Sequence, residues 1–149
     1  MDLATQIDSH RYLDLSHIDE PEENVLRLII EEARTGGPAD DIHIGGKVIT
    51  GLTSIETTDN CAAYEIRFDS YVGYSVRNES FTSRDEYEEF SGRLFRIYRK
   101  SRFLDYVRAA TFASADYPGP FVHYGIICLR HIVDVAVADA PQITQVRGL

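Results

Sequence analysis

The sequence predicts an α+β fold, with one mainly antiparallel sheet of five to six strands and two or three helices packed on one face. Apolar and polar residues alternate over residues 62–80, apolar residues recur at helical spacing in residues 21–34 and 101–113, and no linker or internal repeat divides the 149 residues. A chain of this length suits a single domain, residues 1–149, that buries about 70% of its unfolded surface.

The first helix is predicted over residues 21–34, PEENVLRLIIEEAR. Pro21 suits its first turn, and the Gly36-Gly37-Pro38 segment ends it. Before it, residues 12–15 predict either a short strand or a docked arm. The apolar stripe of this helix consists of Val25, Leu26, Ile29, Ile30 and Ala33.

Two strand-rich segments follow the first helix. Residues 42–57 are rich in β-branched side chains, and Gly45-Gly46 marks either a hairpin turn or a bulge. Residues 62–80 alternate regularly, as in an antiparallel strand with one wet face. Because this run is longer than most strands, we expect a bend near Asp69-Ser70.

A helical block is predicted next. Ser83 and Glu86 have the spacing of a capping box, and Gly92 interrupts the block. Residues 93–98, RLFRIY, alternate and fit a strand instead of a helix. Ser101 then caps a further helix over residues 101–113, which ends before the Tyr-Pro-Gly-Pro segment.

The last clear element is a hairpin within HYGIICLRHIVDVA, residues 123–136. With Leu129 and Arg130 as the turn, Ile126 pairs with Val133 and Tyr124 with Val135, and this face is the core. A slip of one residue would exchange the two faces. The opposite, wetter face then carries His123, Gly125, Ile127, Ile132, Asp134 and Ala136.

His123 and Asp134 are the first candidate site residues. They lie diagonally across the hairpin, about 7–8 Å apart at the backbone, above a gap left by Gly125. An aspartate that orients a histidine is how general bases are built. The alternative, a polar pair on a wet sheet face, is favoured because no nucleophile or metal spacing accompanies the pair.

Cys128 and His131 form a second candidate pair across the turn of this hairpin. They could suggest a thiolate and its base. Cys128, however, shares the core face, where a thiol stays protonated. We therefore predict no catalytic residue and retain His131 as a candidate binding residue.

No metal, cofactor or catalytic motif is predicted. The five histidines lie on separate elements except for the last two, and no C-x-x-C spacing occurs. The chain also lacks the glycine-rich phosphate-binding loops, the nucleophile elbow and the H-E-x-x-H motif. We expect no cofactor, and an enzyme is the less favoured class.

Negative charge is concentrated at the start of the chain. Residues 1–32 contain nine acidic residues and two arginines, a net of −7 within a total of −9. This balance disfavours nucleic acid and anionic membranes and favours a basic protein partner. The candidate contact residues are Asp19, Glu22 and Glu23, together with Tyr71, since tyrosines on a sheet supply rigid contact area.

A basic cluster lies further along the chain. Six of the fifteen basic residues fall within residues 93–108, interleaved with aromatic residues. The cluster resembles a nucleic-acid patch. Neighbouring acids and the negative chain favour an internal charge match with the acidic helical segments instead.

The expected location is the cytoplasm. Residues 1–15 lack the positive region and apolar stretch of a signal peptide. No apolar run approaches the roughly 20 residues that span a bilayer. Cys61 and Cys128 are therefore expected to be reduced, small buried side chains.

Two segments carry a resemblance: NESFTSRDEYEEFSGRLFRIYRKSRFLDY and HYGIICLRHIVDVAVADAPQI, over roughly the last 70 residues. They resemble a family of small bacterial cytosolic proteins without assigned chemistry, similar in size and acidity to immunity proteins that neutralise toxins. The resemblance implies a bacterial origin and transfers no site residue. The −7 segment, the absence of a catalytic motif and the tyrosine content lead us to predict a non-enzymatic protein-binding protein, an immunity protein whose acidic surface covers a basic toxin domain.

A rival hypothesis is a small enzyme or ligand-binding protein that uses the His123/Asp134 face. A deep pocket next to these side chains would favour it, and a flat, solvated face would argue against it. The sequence leaves the identity of the partner and the oligomeric state open.

Overall fold

The computed structural model describes residues 1–148; within residues 37–44 and 48–53 it describes the backbone and not the side chains. In this range the chain forms ten strands, two α-helices and one 3-10 turn. The helices are α1 (Leu3–Ser9) and α2 (Arg102–Ala110). The strands are β1 (Tyr12–Glu22), β2 (Val25–Ile44), β3 (Lys47–Glu56), β4 (Ala63–Asp69), β5 (Gly73–Asn78), β6 (Glu89–Ser91), β7 (Phe95–Lys100), β8 (Val122–Ile127), β9 (His131–Val137) and β10 (Gln142–Arg147).

The strands form two five-stranded sheets. The first sheet has the order β1-β2-β4-β10, with β3 paired to β2, and the second has the order β5-β9-β8-β7-β6. Every pairing between these strands is antiparallel. The mainly antiparallel character is confirmed, whereas the prediction of one sheet is wrong.

One hydrophobic core joins the inner faces of the two sheets. Leu28 and Phe68 of the first sheet are fully buried, as are Ile126 and Val133 of the second. The rings of Phe68 and Tyr124 meet across the interface with centroids 5.8 Å apart. The molecule is therefore a sandwich of two sheets, in which the alternation along each strand separates inner from outer side chains.

The predicted helix over residues 21–34 is wrong, because these residues form the end of β1, a turn and the start of β2. Leu26, Leu28 and Ile30 alternate as fully buried residues. A short apolar run fits helical and strand periods alike, so local pattern does not decide between them. β2 lies between β1 and β4, which supply its backbone partners on both sides. Pro21 falls on an edge strand, where a missing N–H is tolerated.

The predicted helix at Ser83 and Glu86 is also wrong. These residues lie in a loop, and β6 and β7 follow as a hairpin. Gly92, at φ 88°, forms the turn, where an added Cβ would clash with the carbonyl oxygen of Phe95. The strand alternative for residues 93–98 is therefore confirmed over Phe95–Lys100.

Three local predictions are confirmed. Gly45 and Gly46, both at positive φ, form the turn between β2 and β3. The bend falls at Ser70, also at positive φ, where the chain passes from β4 in the first sheet to β5 in the second. Ser101 caps α2, and its Oγ accepts a hydrogen bond from the Leu104 N–H at 3.0 Å.

The β8–β9 hairpin has the predicted register, with Ile126 opposite Val133 and Gly125 opposite Asp134. The outer face is not wet, however. The α2 helix packs on it through Phe103, whose ring lies 4.9 Å from that of His123. The α1 helix instead contributes Ile7 to the core. Neither helix in the described range has the length and apolarity needed to cross a membrane.

Candidate functional site

His123 and Asp134 form a buried pair on the outer face of the second sheet. The His123 Nε2 lies 2.7 Å from the Asp134 Oδ1. Only 1% of His123 and 2% of Asp134 is exposed. Their strands are neighbours, and the diagonal placement predicted for the two side chains is what brings them together. A carboxylate buried this deeply requires compensating partners.

Arg77 of β5 supplies the opposite charge. Its Nε and Nη2 both lie 3.1 Å from the second carboxylate oxygen of Asp134. The Arg77 side chain is about half exposed, so its far side remains hydrated. Asp134 is thus held between the guanidinium of Arg77, which is partly solvated, and the buried ring of His123.

Ser101 completes the network on the other side of the ring. Its Oγ lies 2.8 Å from the His123 Nδ1, and Ser101 has no exposed surface. The same oxygen accepts the Leu104 N–H. Both ring nitrogens of His123 therefore have a hydrogen-bond partner, Ser101 at Nδ1 and Asp134 at Nε2.

Two aromatic rings enclose His123. The Tyr98 ring stacks on it at a centroid distance of 4.0 Å and an interplanar angle of 9°, and Phe103 packs at 4.9 Å. The Tyr98 ring also occupies the space above Gly125, where an added Cβ would lie 2.7 Å from Cε2. The predicted gap above Gly125 is therefore filled.

Ser101, His123 and Asp134 are in the hydrogen-bond contact that nucleophilic catalysis requires, but their setting does not suit it. Ser101 has no exposed surface, and its oxygen accepts the Leu104 N–H as the N-cap of α2. The network joins the start of α2 to β8, β9 and β5. Across the described residues, no group of three or more His, Cys, Asp or Glu side chains could hold a metal ion.

A cavity of about 750 Å³ opens beside this network, between β5 and α2. His123 and Asp134 form part of its wall, and Tyr74, Phe103 and Tyr106 line it as well. A second cavity of about 660 Å³ adjoins it. It shares Arg77, Ser83, Asp85 and Glu88 with the first.

Exposed aromatic side chains surround the first cavity. Phe81 and Tyr106 line it and are 85% and 66% exposed. Beyond the end of α2, Phe112 and Tyr117 are exposed and stack with centroids 6.2 Å apart. The sequence analysis predicted none of these four as a protein-contact residue; it counted Tyr106 only among the aromatic residues interleaved with the basic cluster. Helical spacing offered a signal, because Tyr106 falls outside the buried stripe of α2, Leu104 and Val107.

The candidate acidic residues lie at the β1–β2 hairpin. Asp19 pairs with Arg27 at 2.6 Å, and Glu22 pairs with Arg67 at 3.2 Å. The hydrogen bond from Arg27 lowers the pKa of Asp19. Glu23 is exposed in the turn between the strands.

Five of the nine acidic residues in residues 1–32 lie within 4 Å of an arginine side-chain nitrogen. The charge that this segment offers to a partner is therefore smaller than the sequence suggests. The five pairs are Asp14–Arg130, Asp19–Arg27, Glu22–Arg67, Glu31–Arg147 and Glu32–Arg34.

Tyr71 connects the acidic hairpin to the cavity. Its hydroxyl donates to Glu20 at 2.6 Å, and the hydroxyl of Tyr74 donates to the same carboxylate at 3.2 Å. The bond to Glu20 raises the pKa of Tyr71 to about 12, so the hydroxyl keeps its proton. Because Tyr74 lines the cavity, the hairpin and the cavity belong to one continuous surface.

His131 and Cys128 lie apart from the His123–Asp134 network. The Cys128 N–H donates to the His131 carbonyl across the turn at 2.8 Å. Burial raises the pKa of Cys128 to about 12, which agrees with the prediction of a protonated thiol. The His131 Nδ1 is buried and has no hydrogen-bond partner among the described residues.

Among the described residues, one member of the basic cluster forms an ion pair with a carboxylate. Arg102 pairs with Asp85 at 3.1 Å and stacks over the Tyr87 ring at 3.9 Å. Arg96 lies over the Phe90 ring at 4.1 Å. The Arg102–Asp85 pair is an internal charge match, but Asp85 lies in a loop and not in the predicted helix.

Comparison of the chain with protein-family models, with curated proteins and with solved structures finds no match.

Proposed function

We propose that this is a non-enzymatic protein-binding protein, an immunity protein that neutralises a basic bacterial toxin domain. Its contact surface is the continuous surface formed by the first cavity, the exposed aromatic residues around it and the adjoining β1–β2 hairpin. The observation that carries the proposal is the exposure of Phe81 and Tyr106 on that cavity.

Exposed aromatic residues beside a cavity support protein binding. Aromatic side chains and arginine are enriched at interface cores and supply most hot spots. Phe81, Tyr106 and Arg102 provide such groups around one depression. Phe112 and Tyr117 extend the aromatic surface past the end of α2.

The sealed state of the buried network argues against catalysis. A nucleophile must reach its substrate, and Ser101 has no exposed surface. His123 is enclosed by Tyr98 and Phe103 and has both ring nitrogens engaged. Ser101, His123 and Asp134 instead hold the start of α2 against the second sheet and so stabilise the exposed surface of this helix.

The charge of the chain supports a basic partner. The net charge of −9 attracts basic proteins at long range and repels nucleic acid. The internal ion pairs of residues 1–32 reduce the local charge but leave the total unchanged. We expect the association rate to fall as salt is raised.

The test is a binding measurement with a purified toxin domain encoded beside this gene. Calorimetry compares the wild type with a Phe81→Ser/Tyr106→Ser double variant. The matched control is Val146→Ser, a half-exposed apolar residue on β10. We expect the double variant to bind at least tenfold more weakly and the control to bind like the wild type. Absence of any specific protein partner at low salt, or equal binding by the double variant, would contradict the proposal.

A second candidate is a ligand-binding protein or small enzyme that uses the His123/Asp134 face. The cavity of about 750 Å³ beside these residues favours it. A thermal-shift screen of metabolites tests it, with Ser75→Trp as the variant that fills the cavity. A ligand that raises the Tm of the wild type and not of this variant would support it. Labelling of Ser101 by a fluorophosphonate would favour an enzyme.

A further inference from the structure

The β5 strand is an open edge of the second sheet. Among the described strands it pairs with β9 alone, so one side of its backbone has no strand beside it. A strand edge carries a row of backbone N–H and C=O groups and is a template for pairing with another chain. Natural edges are usually protected by proline, lysine, short length or bulges.

Among the edge strands that the structure describes, β5 is the one whose pairing is regular. Its six pairs with β9 run without a register shift. The other edge strands are interrupted: β1 has two shifts and carries Pro21, β10 has a shift before Arg147, and the pairing of β3 contains two. β6 has three residues and a shift. Among the described edge strands, β5 therefore has the longest pairing without a register shift.

The first cavity leaves room for such a strand. Val72, which precedes β5, and the first three residues of β5 line it. Tyr74 and Ser75 point to opposite faces of the strand, and because both line the cavity, it extends around the edge of β5. Phe81 and Tyr106 on the same cavity would contact alternate side chains of the added strand.

The charges that line this cavity favour a basic segment. Arg77 is held by Asp134, and Arg102 is held by Asp85. Glu88 is then the lining carboxylate that forms no ion pair within the lining, although its Oε2 accepts the Arg102 N–H at 3.1 Å. The chain as a whole has a net charge of −9. A segment that carries lysine or arginine at alternate positions is complementary to this edge.

We propose that the partner adds an extended basic segment as a sixth strand along the free edge of β5. The inference rests on the proposed protein-binding function and specifies how the partner is held. Backbone hydrogen bonds supply affinity in this mode, and contacts of alternate side chains supply specificity.

The first experiment uses labelled eight-residue peptides and the full-length protein. The probe alternates lysine and valine; one control replaces the lysines with glutamate, and the other keeps the lysines and carries a central proline. Fluorescence anisotropy measures affinity, and hydrogen exchange measures protection of the backbone amides. We expect the uninterrupted basic peptide to bind at least tenfold more tightly than either control and to protect residues 73–78. Equal binding by the proline-containing peptide, or protection confined to other strands, would overturn the inference.

The second experiment blocks the edge of β5. Backbone N–H groups point alternately to the two sides of a strand. Of the two variants Ser75→Pro and Val76→Pro, one therefore removes a donor that faces β9, and the other removes a donor that faces the free edge. Loss of a donor on the free edge leaves the β5–β9 pairing intact, so the variant that keeps the wild-type Tm is the one that has lost such a donor. We expect this variant to bind the probe peptide at least tenfold more weakly. Thr144→Pro on the β10 edge is the control and should keep probe binding. Unchanged binding by a folded β5 variant would overturn the inference; if both β5 variants unfold, the hydrogen-exchange result decides.

The same variants separate this inference from the proposed function. If the toxin domain binds the folded β5 proline variant normally and the Phe81→Ser/Tyr106→Ser variant weakly, strand addition is wrong and the protein-binding function stands. If the peptide protects β5 but no toxin partner exists, strand addition stands and the proposed function fails.

Discussion

Asp134 carries its charge at a position that water hardly reaches. Arg77 and His123 compensate it on two sides, and Ser101 holds the ring in place. A buried pair of this kind contributes little net stability, yet removal of one partner costs about 3–5 kcal/mol, because it leaves a buried group without compensation. Because Asp134 is buried among these partners, we expect its substitution to cost more stability than the same substitution on a solvent-exposed face of the sheet.

We expect Asp134→Asn to lower the free energy of unfolding by about 1–3 kcal/mol, because Arg77 loses its charge partner while the His123 bond has a substitute acceptor. Val135→Asp should be worse and should unfold the domain or nearly so, since it places an unpaired charge in the core. Asp139→Asn, on the exposed surface, is the control. Urea unfolding measures all three, and a larger loss for Asp134→Asn than for Val135→Asp would contradict this order.

Gly125 is required by the ring that covers it. An added Cβ would lie 2.7 Å from the Tyr98 Cε2, and that ring is fixed by its stacking on His123. We expect Gly125→Ala to destabilise by about 1–3 kcal/mol through overpacking. Gly73→Ala is the matched control, because its Cβ would meet Val107 at an ordinary 3.9 Å. Equal Tm values for the two variants would refute this reason.

At the scale of elements, α1 is joined to the start of β7 by one carboxylate. The Asp8 Oδ1 accepts the backbone N–H groups of Arg93, Leu94 and Phe95 at 2.7–2.8 Å. Partial burial raises the pKa of Asp8, but these donors outweigh burial, and the net pKa is lowered. The interaction thus favours the charged form in the folded state.

The lowered pKa of Asp8 predicts a loss of stability in acid. A carboxyl whose pKa is lower in the folded state contributes stability above its unfolded pKa, 3.8, and loses it as pH falls through the folded value. We expect Asp8→Asn to be less stable than the wild type at pH 7, with the difference shrinking below about pH 4. Thermal melts between pH 7 and pH 2.5 measure it, and a difference that stays constant with pH would be inconsistent with this role.

At the scale of the molecule, the two sheets depend on each other because they share one core. Phe68 is fully buried in the first sheet and contacts Tyr124 of the second. We expect Phe68→Ala to cost about 3–5 kcal/mol. Far- and near-ultraviolet circular dichroism should then report one coincident transition. Two separate transitions would show that the sheets fold as independent units.

Some features could be predicted from sequence because neighbouring residues determine them. The register of the β8–β9 hairpin follows from the alternation of valines about a two-residue turn. The cap at Ser101 and the bend at Ser70 also follow from local backbone chemistry. These signals placed His123 diagonally from Asp134, which is the placement that the structure has.

Other features could not be predicted because they depend on residues distant along the chain. Leu26 to Ile30 fit a helix as well as a strand, and only the pairing with β1 and β4 determines that they form a strand. Ser101 and Arg77 come from elements whose positions only the fold determines, so their contact with the His123–Asp134 pair has no signature in the sequence.

The sequence by itself determined the turns, the cap, the faces of the last hairpin and the total charge, since these depend on adjacent residues and on composition. The tertiary structure alone decided that there are two sheets, that α2 covers His123 and Asp134, and that acids near the start of the chain pair with arginines as distant as Arg130 and Arg147. The physical reason is that burial and backbone pairing are satisfied by whichever segments the fold brings together.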